Sequence, residues 1–314
     1  MDRTEHILSL SYGKDSLACL GAIEQLSWPL DRIIHAEVWA TDTIPADLPP
    51  MVEFKAKADE IIKRRWGIEV EHYAAEGRER ERERESYESM FYQTLTSGKF
   101  VGSIRGFPMV RGAWCKKLKY GSKINLRERV LQNSHIGNSQ GSNIRVPDDT
   151  GCLVQRPTEN GGAIDFLNSP KRQGADKNIV VSYLGIAADE PERLARLDGK
   201  TKVSPLAALG WTEADCRKWC EDNDLLSPIY TTATRGGCWF CHNQSIEQLR
   251  LLRRNYPDLW GILLKWDSDS PVSFNPRGYT VHDYDLRFVL EEQGLVPCDR
   301  RFRWSMLNTY KEAV

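Results

Sequence analysis

The stretch that most constrains the fold is HILSLSYGKDSLACLGAIEQL, residues 6–26. Ile7, Leu8 and Leu10 form a short apolar run of the kind a buried strand shows, and residues 11–16 break it with small and polar side chains. From Leu17 onward, Leu17, Leu20, Ile23 and Leu26 recur at helical spacing. The expectation is strand, tight loop, helix. Residues 32–40 then read as a second strand, 51–66 as a second helix ended by Gly67, and 68–73 as a third strand. Strands and helices in this alternation call for an α/β fold with a doubly wound parallel sheet.

A loop that feeds a helix N-terminus is a ready anion site, because the first-turn N–H groups and the positive dipole end favour a phosphate. Gly13 lets a ligand approach the backbone, Ser11 and Ser16 offer hydroxyls, and Lys14 adds a cation. Asp15 is the odd member: a carboxylate here makes sense as a Mg²⁺ ligand or as a cap. The loop is not a Walker A, whose G-x-x-x-x-G-K-[ST] spacing is absent. Ser11-Tyr12-Gly13-Lys14-Asp15-Ser16 resembles instead the S-x-G-K-D-S pyrophosphate loop of the adenine-nucleotide α-hydrolase superfamily. That group includes the N-type ATP pyrophosphatases and the phosphoadenylylsulfate (PAPS) reductase family.

Four later blocks extend the resemblance. Asp42 and Thr43 resemble the D-T segment that meets the nucleoside at the end of the second strand. Trp114-Cys115-Lys116-Lys117-Leu118-Lys119 resembles a W-C-x-x-x-K segment, set among Arg105, Arg111 and Lys119; Trp114 stands where cluster-bearing members have a second cysteine. After the apolar strand expected at 179–186, Gly185, Asp189, Glu190 and Arg193 resemble the G-x-R-x-D-E-x-x-R segment, with Ala187 in place of its first arginine. Cys238-Trp239-Phe240-Cys241 resembles the C-terminal G-C-x-x-C. Between these last two blocks, Thr212 and Asp215 mark a helix start, Cys216 and Cys220 read as core on that helix, and Ser227-Pro228-Ile229-Tyr230 matches a P-x-Y segment.

C-x-x-C on a glycine-rich turn is a chelating geometry, since both thiolates can point at one ion. With Cys115 it supplies three thiols, and Cys298, or less readily His242, offers a fourth. Such a set suits structural Zn²⁺ or a four-iron four-sulfur (4Fe–4S) cluster; the resemblance leans to the cluster and the donor chemistry leaves zinc as its rival.

Residues 76–88 alternate acid and base, a solvated face with no field for a polyanion. Residues 133–178 are rich in Gly, Asn, Ser, Pro and Asp and read as an insertion, a hairpin or lid. Two helices split at Pro257 and another over 283–291 complete the chain. The expected division is an adenine-nucleotide-binding domain at 1–212 and a helical, cysteine-bearing region at 213–314. A net charge of −1 gives no global pull toward nucleic acid or membrane. No apolar run approaches the ~18 residues of a membrane helix. MDRTEH lacks the basic-then-apolar order of a signal peptide, and eight cysteines scattered over 314 residues do not read as a secreted disulfide scaffold. A cytoplasmic protein is expected, its oligomeric state unread.

The resemblance implies a PAPS reductase-family enzyme that binds ATP or PAPS and works in sulfur metabolism or sulfur transfer. Ser11, Gly13, Lys14, Asp15, Ser16, Asp42, Thr43, Gly185 and Asp189 would hold the nucleotide. Lys14, Asp15, Arg111, Lys119 and Arg193 would serve catalysis, and Cys115, Cys238, Cys241 and Cys298 a metal. The family's terminal E-C-G-x-H cysteine, which attacks the sulfonyl group, has no match: Cys298 lies in Pro-Cys-Asp-Arg. The alternatives are therefore an ATP pyrophosphatase-type enzyme that adenylates a nucleic-acid or protein acceptor, and a non-catalytic nucleotide-binding regulator.

Overall fold

The computed structural model describes residues 4–75, 84–98, 100–108, 113–118, 143–147, 153–157, 179–231 and 237–311. The chain opens with β1 (Thr4–Leu10), α1 (Lys14–Leu26), β2 (Arg32–Ala36), α2 (Pro49–Trp66) and β3 (Val70–Tyr73). After α3 (Tyr87–Phe91), β4 (Asn143–Pro147) pairs antiparallel with β5 (Leu153–Pro157), within the expected insertion. β6 (Ile179–Tyr183), α4 (Pro191–Leu194), β7 (Lys202–Val203), α5 (Pro205–Leu209) and α6 (Glu213–Asp222) follow. A 3₁₀ turn (Pro228–Thr231) precedes α7 (Ile246–Asn255), α8 (Pro257–Asp269) and α9 (Val281–Glu292). A last 3₁₀ turn (Trp304–Leu307) leads into α10 (Asn308–Lys311).

The main sheet has five parallel strands in the order β3-β2-β1-β6-β7. β1 is central, which is why Ile7 and Leu8 are wholly buried. It leads through α1 to β2 on one side and pairs on the other with β6, with Leu8 opposite both Ile33 and Tyr183. The strand order therefore reverses at β1. In open α/β sheets the ligand crevice lies outside the carboxyl ends of the strands at such a reversal. Here the loops after β1 and β6 meet there.

Local chemistry explains the element ends. Gly67 closes α2 in the left-handed region at φ 70°. Thr212 and Asp215 form a reciprocal capping box at the start of α6, and Pro257 opens α8 where it cannot continue α7. β2 stops earlier than expected because residues 39–45 fold back on themselves, with Trp39 bridging Pro45 and Ala40 N–H donating to the Ile44 carbonyl. Cys19, Cys216 and Cys220 are fully buried in one core cluster, as the core reading of the last two expects.

The contacts divide the chain differently from a break at 212. Residues 1–86 with 116–236 form one compact unit, and 87–115 with 237–314 the other. The reason is physical: α6 packs its buried cysteines into the first unit's core, and Tyr230 reaches the loop after β1. No helix among the described residues is long and apolar enough to cross a membrane.

Candidate functional site

Tyr12, rather than a glycine, turns the loop after β1: it sits in the left-handed region at φ 55° while Gly13 is extended. Ser16 Oγ then ties the loop shut, accepting from Ser11 N–H at 3.1 Å, donating to the Gly13 carbonyl at 3.0 Å and lying 3.0 Å from Ser11 Oγ. Leu17 N–H donates to the same Gly13 carbonyl. The N–H groups of Lys14, Asp15 and Ser16 belong to the first helical turn, which has no intrahelical acceptors to offer them. That of Lys14 donates to the Tyr230 hydroxyl at 3.0 Å.

The two glycines of the crevice differ in what demands them. A Cβ on Gly185 would lie 2.6 Å from Ser16 N and 2.7 Å from Ser16 Cα, so the backbone after β6 touches the start of α1 and admits no side chain. A Cβ on Gly13 would stay 3.4 Å from its nearest protein neighbour, the Tyr230 hydroxyl. The fold alone does not require glycine at 13, which leaves a ligand's approach as the use for that space.

Lys14 Nζ is 2.6 Å from Asp15 Oδ1 and 3.1 Å from Glu213 Oε2. Burial opposes the Lys14 charge, but these two carboxylates outweigh it and raise its pKa. Asp15 is also pushed above the usual carboxylate range, first by burial, then by Glu213 and Glu190 against the pull of Lys14. Asp15 does not cap α1, whose N-cap Gly13 makes no side-chain bond. Asp189 accepts from Glu213 N–H at 3.1 Å, so it holds the start of α6. Glu190 accepts from Ala187 N–H at 3.1 Å and pairs with half-exposed Arg193. Asp42 and Thr43 are exposed at the tip of the 39–45 fold-back, where Asp42 accepts from Ser86 Oγ at 3.2 Å. Among the described residues, no hydrogen bond or ion pair joins Asp42 or Thr43 to the loop. Arg111 and Lys119 lie outside the described residues.

Beneath Tyr12 runs a polar network that the motif reading missed. Its hydroxyl donates to Asp59 on α2 and lies 3.1 Å from His72 Nε2. His72, on β3, sits 2.9 Å from Asp59 Oδ2 and 2.9 Å from Glu37 Oε1. Those two carboxylates lift its pKa to about 9, and His72 in turn draws Glu37 down to about 2. His35 behaves oppositely: burial and then Lys55 lower it to about 3. Its Nδ1 donates to the Leu10 carbonyl at 2.9 Å, and its Nε2 accepts from Lys55 Nζ at 2.8 Å.

The second unit carries the cysteine turn. Cys241 N–H donates to the Cys238 carbonyl at 3.0 Å, and Gln244 closes the turn through its side-chain amide on that same carbonyl at 2.8 Å. Trp239 and Phe240, between the cysteines, are buried; Trp239 stacks on Trp266 of α8 at 5.6 Å. Phe240 lies 4.2 Å from the Tyr87 ring, and Trp114, next to Cys115, lies 4.8 Å from it. Burial first, and then Cys115, Cys241 and Cys238, push the Tyr87 phenol far above its ordinary range. Cys298 is not among them; it is exposed, and its carbonyl lies 3.5 Å from Arg250. Among the described residues no three His, Cys, Asp or Glu side chains are grouped as a metal shell, so the expected set of Cys115, Cys238, Cys241 and Cys298 is not assembled.

No protein-family model, characterised relative or solved structure matches the chain.

Proposed function

We propose that the first unit binds Mg–ATP at the loop after β1 and transfers the adenylyl group to an acceptor, releasing pyrophosphate, as an ATP pyrophosphatase-type member of a PAPS reductase-like family. The observation that carries this reading is the charge at the crevice. Lys14 is shared by Asp15 and Glu213, with Glu190 adding to the negative field at Asp15. A metal-free polyanion such as PAPS would meet carboxylates on arrival. A nucleotide that brings Mg²⁺ satisfies them, because Mg²⁺ is commonly held by one or two carboxylates together with substrate phosphates.

In this reading the loop N–H groups and Lys14 neutralise charge that builds on the departing pyrophosphate. Ser11 and Ser16 keep the loop in shape, Tyr230 offers its hydroxyl beside the Lys14 N–H, and Asp15 holds the nucleotide's Mg²⁺. Arg193 stays with Glu190 until phosphate competes for it. The nucleophile belongs to the acceptor, a nucleic acid or a protein.

In the second unit, Cys115, Cys238 and Cys241 would hold a metal. The residue types suit one, since thiolates are zinc and iron–sulfur ligands, but among the described residues the three thiols are not grouped as a metal shell. Bound zinc would supply a structural clamp, and an iron–sulfur cluster electron or sulfide chemistry. Product analysis tests the reading of the first unit. Protein purified without oxygen and given Mg–ATP with candidate acceptors should yield pyrophosphate and an adenylated acceptor, with AMP released once water or a sulfur nucleophile displaces it. Sulfite and adenosine 3′,5′-bisphosphate from PAPS, with ATP inert, would overturn it.

A further inference from the structure

Tyr12 adopts a backbone that its own side chain does not favour. A non-glycine residue at φ 55° crowds its Cβ against the neighbouring carbonyl, so such a conformation persists only where the surroundings hold it. The hold here is a chain of hydrogen bonds. The Tyr12 hydroxyl donates to Asp59 on α2, and His72 on β3 lies 2.9 Å from Asp59 Oδ2 and 2.9 Å from Glu37 Oε1. Glu37 Oε2 accepts from Trp39 Nε1 at 3.1 Å, and Trp39 opens the fold-back that carries Asp42 and Thr43. No hydrogen bond among the described residues links Asp42 or Thr43 directly to the loop after β1; this chain joins the two segments at a remove. Resting on the reading of that loop as a nucleotide site, we propose that Asp59, His72 and Glu37 are positioning residues for the nucleotide. They hold Tyr12 left-handed and set the phosphate loop and the 39–45 fold-back in place for one ligand.

The chain depends on a charged His72. An imidazolium donates from both nitrogens, to Asp59 through Nε2 and to Glu37 through Nδ1, whereas the neutral ring has one N–H and must release one carboxylate. Asp59 and then Glu37 outweigh burial and raise His72 to about 9, so both bonds stand at neutral pH. The other groups facing it keep their own protons in place. Burial first, and Asp59 next, push the Tyr12 phenol far upward, so it remains a donor. His35, whose ring lies 5.4 Å from that of His72, is held at about 3 by burial and then Lys55. Lys55, paired with Asp47, lies 5.2 Å from the Tyr12 ring and donates to His35 Nε2, while His35 Nδ1 donates to the Leu10 carbonyl. The last residue of β1 is thus tied by a neutral histidine and the turn after it by a charged one. Loss of the His72 proton above pH 9 frees Tyr12 to leave the left-handed region, and affinity for nucleotide falls with it.

The test measures Mg–ATP binding to the full chain, without acceptor, by calorimetry between pH 7 and 10, with circular dichroism to show that the protein is folded at each pH. The wild-type Kd should rise about 5–30-fold as pH passes 9, the equivalent of the penalty an L-residue carries in the left-handed region. Tyr12→Phe removes the hydroxyl and His72→Gln the charge. Each should bind about 5–30-fold more weakly at pH 7 and then stay level, because the titrating link is gone. Tyr12→Gly takes the left-handed turn without an anchor, so adding His72→Gln in that background should leave the Kd unchanged. Groups that only stabilise the fold would lower the urea midpoint and leave the Kd of the folded protein and its pH profile alone. Should His72→Gln or Tyr12→Gly fail to fold, the profiles of the wild type and Tyr12→Phe decide. A level wild-type profile, or a Tyr12→Phe variant that keeps the wild-type affinity or profile, overturns the positioning role while the nucleotide site stands, as does a loss on adding His72→Gln to Tyr12→Gly. A wild type that does not bind Mg–ATP overturns the nucleotide reading and this inference with it.

Discussion

Around Lys14 the charged groups already have partners in the protein, whereas among the described residues the buried Tyr87 hydroxyl has none. The first cluster is polar and self-compensating: Lys14 with Asp15 and Glu213, Glu190 with Arg193, Asp189 with the start of α6. A ligand entering there must exchange partners, so its affinity depends on what it brings for the carboxylates it displaces. The second cluster is aromatic, and among the described residues it leaves the Tyr87 hydroxyl and the Gln244 amide oxygen of the cysteine turn buried without hydrogen-bond partners. Where partners are exchanged, selectivity comes from competition; where they are missing, it comes from the polar atoms left over.

The largest expected effect comes from breaking the first cluster at its cation. Lys14→Ala should cut pyrophosphate formation by on the order of 10²–10³, the range for losing one preorganised donor; full activity in this variant would remove Lys14 from the chemistry. Zinc is expected to stabilise the second unit by about 2.7 kcal/mol at a hundredfold excess over its Kd. Thermal unfolding with and without the metal should show this gain in the wild type and its loss in Cys238→Ser. Gly185→Ala should cost about 1–3 kcal/mol by overpacking, because its methyl group meets Ser16 backbone at 2.6 Å. It should abolish nucleotide binding as well, measured by urea unfolding and calorimetry on one sample.

A pH effect sharpens the contrast within the first unit. The pKa of His72 is raised to about 9 by Asp59 and Glu37. Its contribution to stability is therefore complete below the ordinary histidine range near 6.5 and fades as pH rises through 9. Urea midpoints should fall between pH 7 and 10 in the wild type and flatten in His72→Gln. The smallest expected change is in Glu213→Gln, which frees Lys14 from one competitor. Metal-free nucleotide should bind a few-fold tighter to this variant, by about 0.5–1 kcal/mol, the scale of an exposed ion pair; unchanged binding would show that the pair does not compete.

What could be read from the residues was local. The strand, loop and helix at the start, the capping box at Thr212 and the split at Pro257 each announce themselves within a few positions. The parallel sheet followed from their alternation. Tyr12 gave no signal, because its left-handed backbone is held by Asp59 and His72, tens of residues away, rather than favoured by its own side chain. Asp189 looked like a ligand-facing acid, and its part in holding a helix start was not legible, since a carboxylate can serve either role and the partner at Glu213 is set by the fold. Residues 87–115 gave no hint of joining 237–314, because their aromatic side chains find partners across a long gap in the chain. The packing of Trp114 and Phe240, the neighbours of Cys115 and Cys241, on Tyr87 has no local pattern, and neither has the unpartnered hydroxyl, because a lack of partners has no sequence signature.

The pairing of β1 with β6 has a consequence for how the protein is made. Thr4 pairs with Ile179, and the backbone at Gly185 packs on Ser16, so a stretch synthesised early waits for one synthesised more than half a chain later. Pairings so distant in sequence form slowly. On the ribosome, β1 and β2 can meet soon after they emerge, but the crevice gains its second wall only when β6 arrives, and its Tyr230 hydroxyl later still. Nascent chains released before that point would carry the complete S-Y-G-K-D-S sequence with nothing to hold it open, an exposed strand edge beside it, and a reason to be bound by a chaperone rather than by a nucleotide.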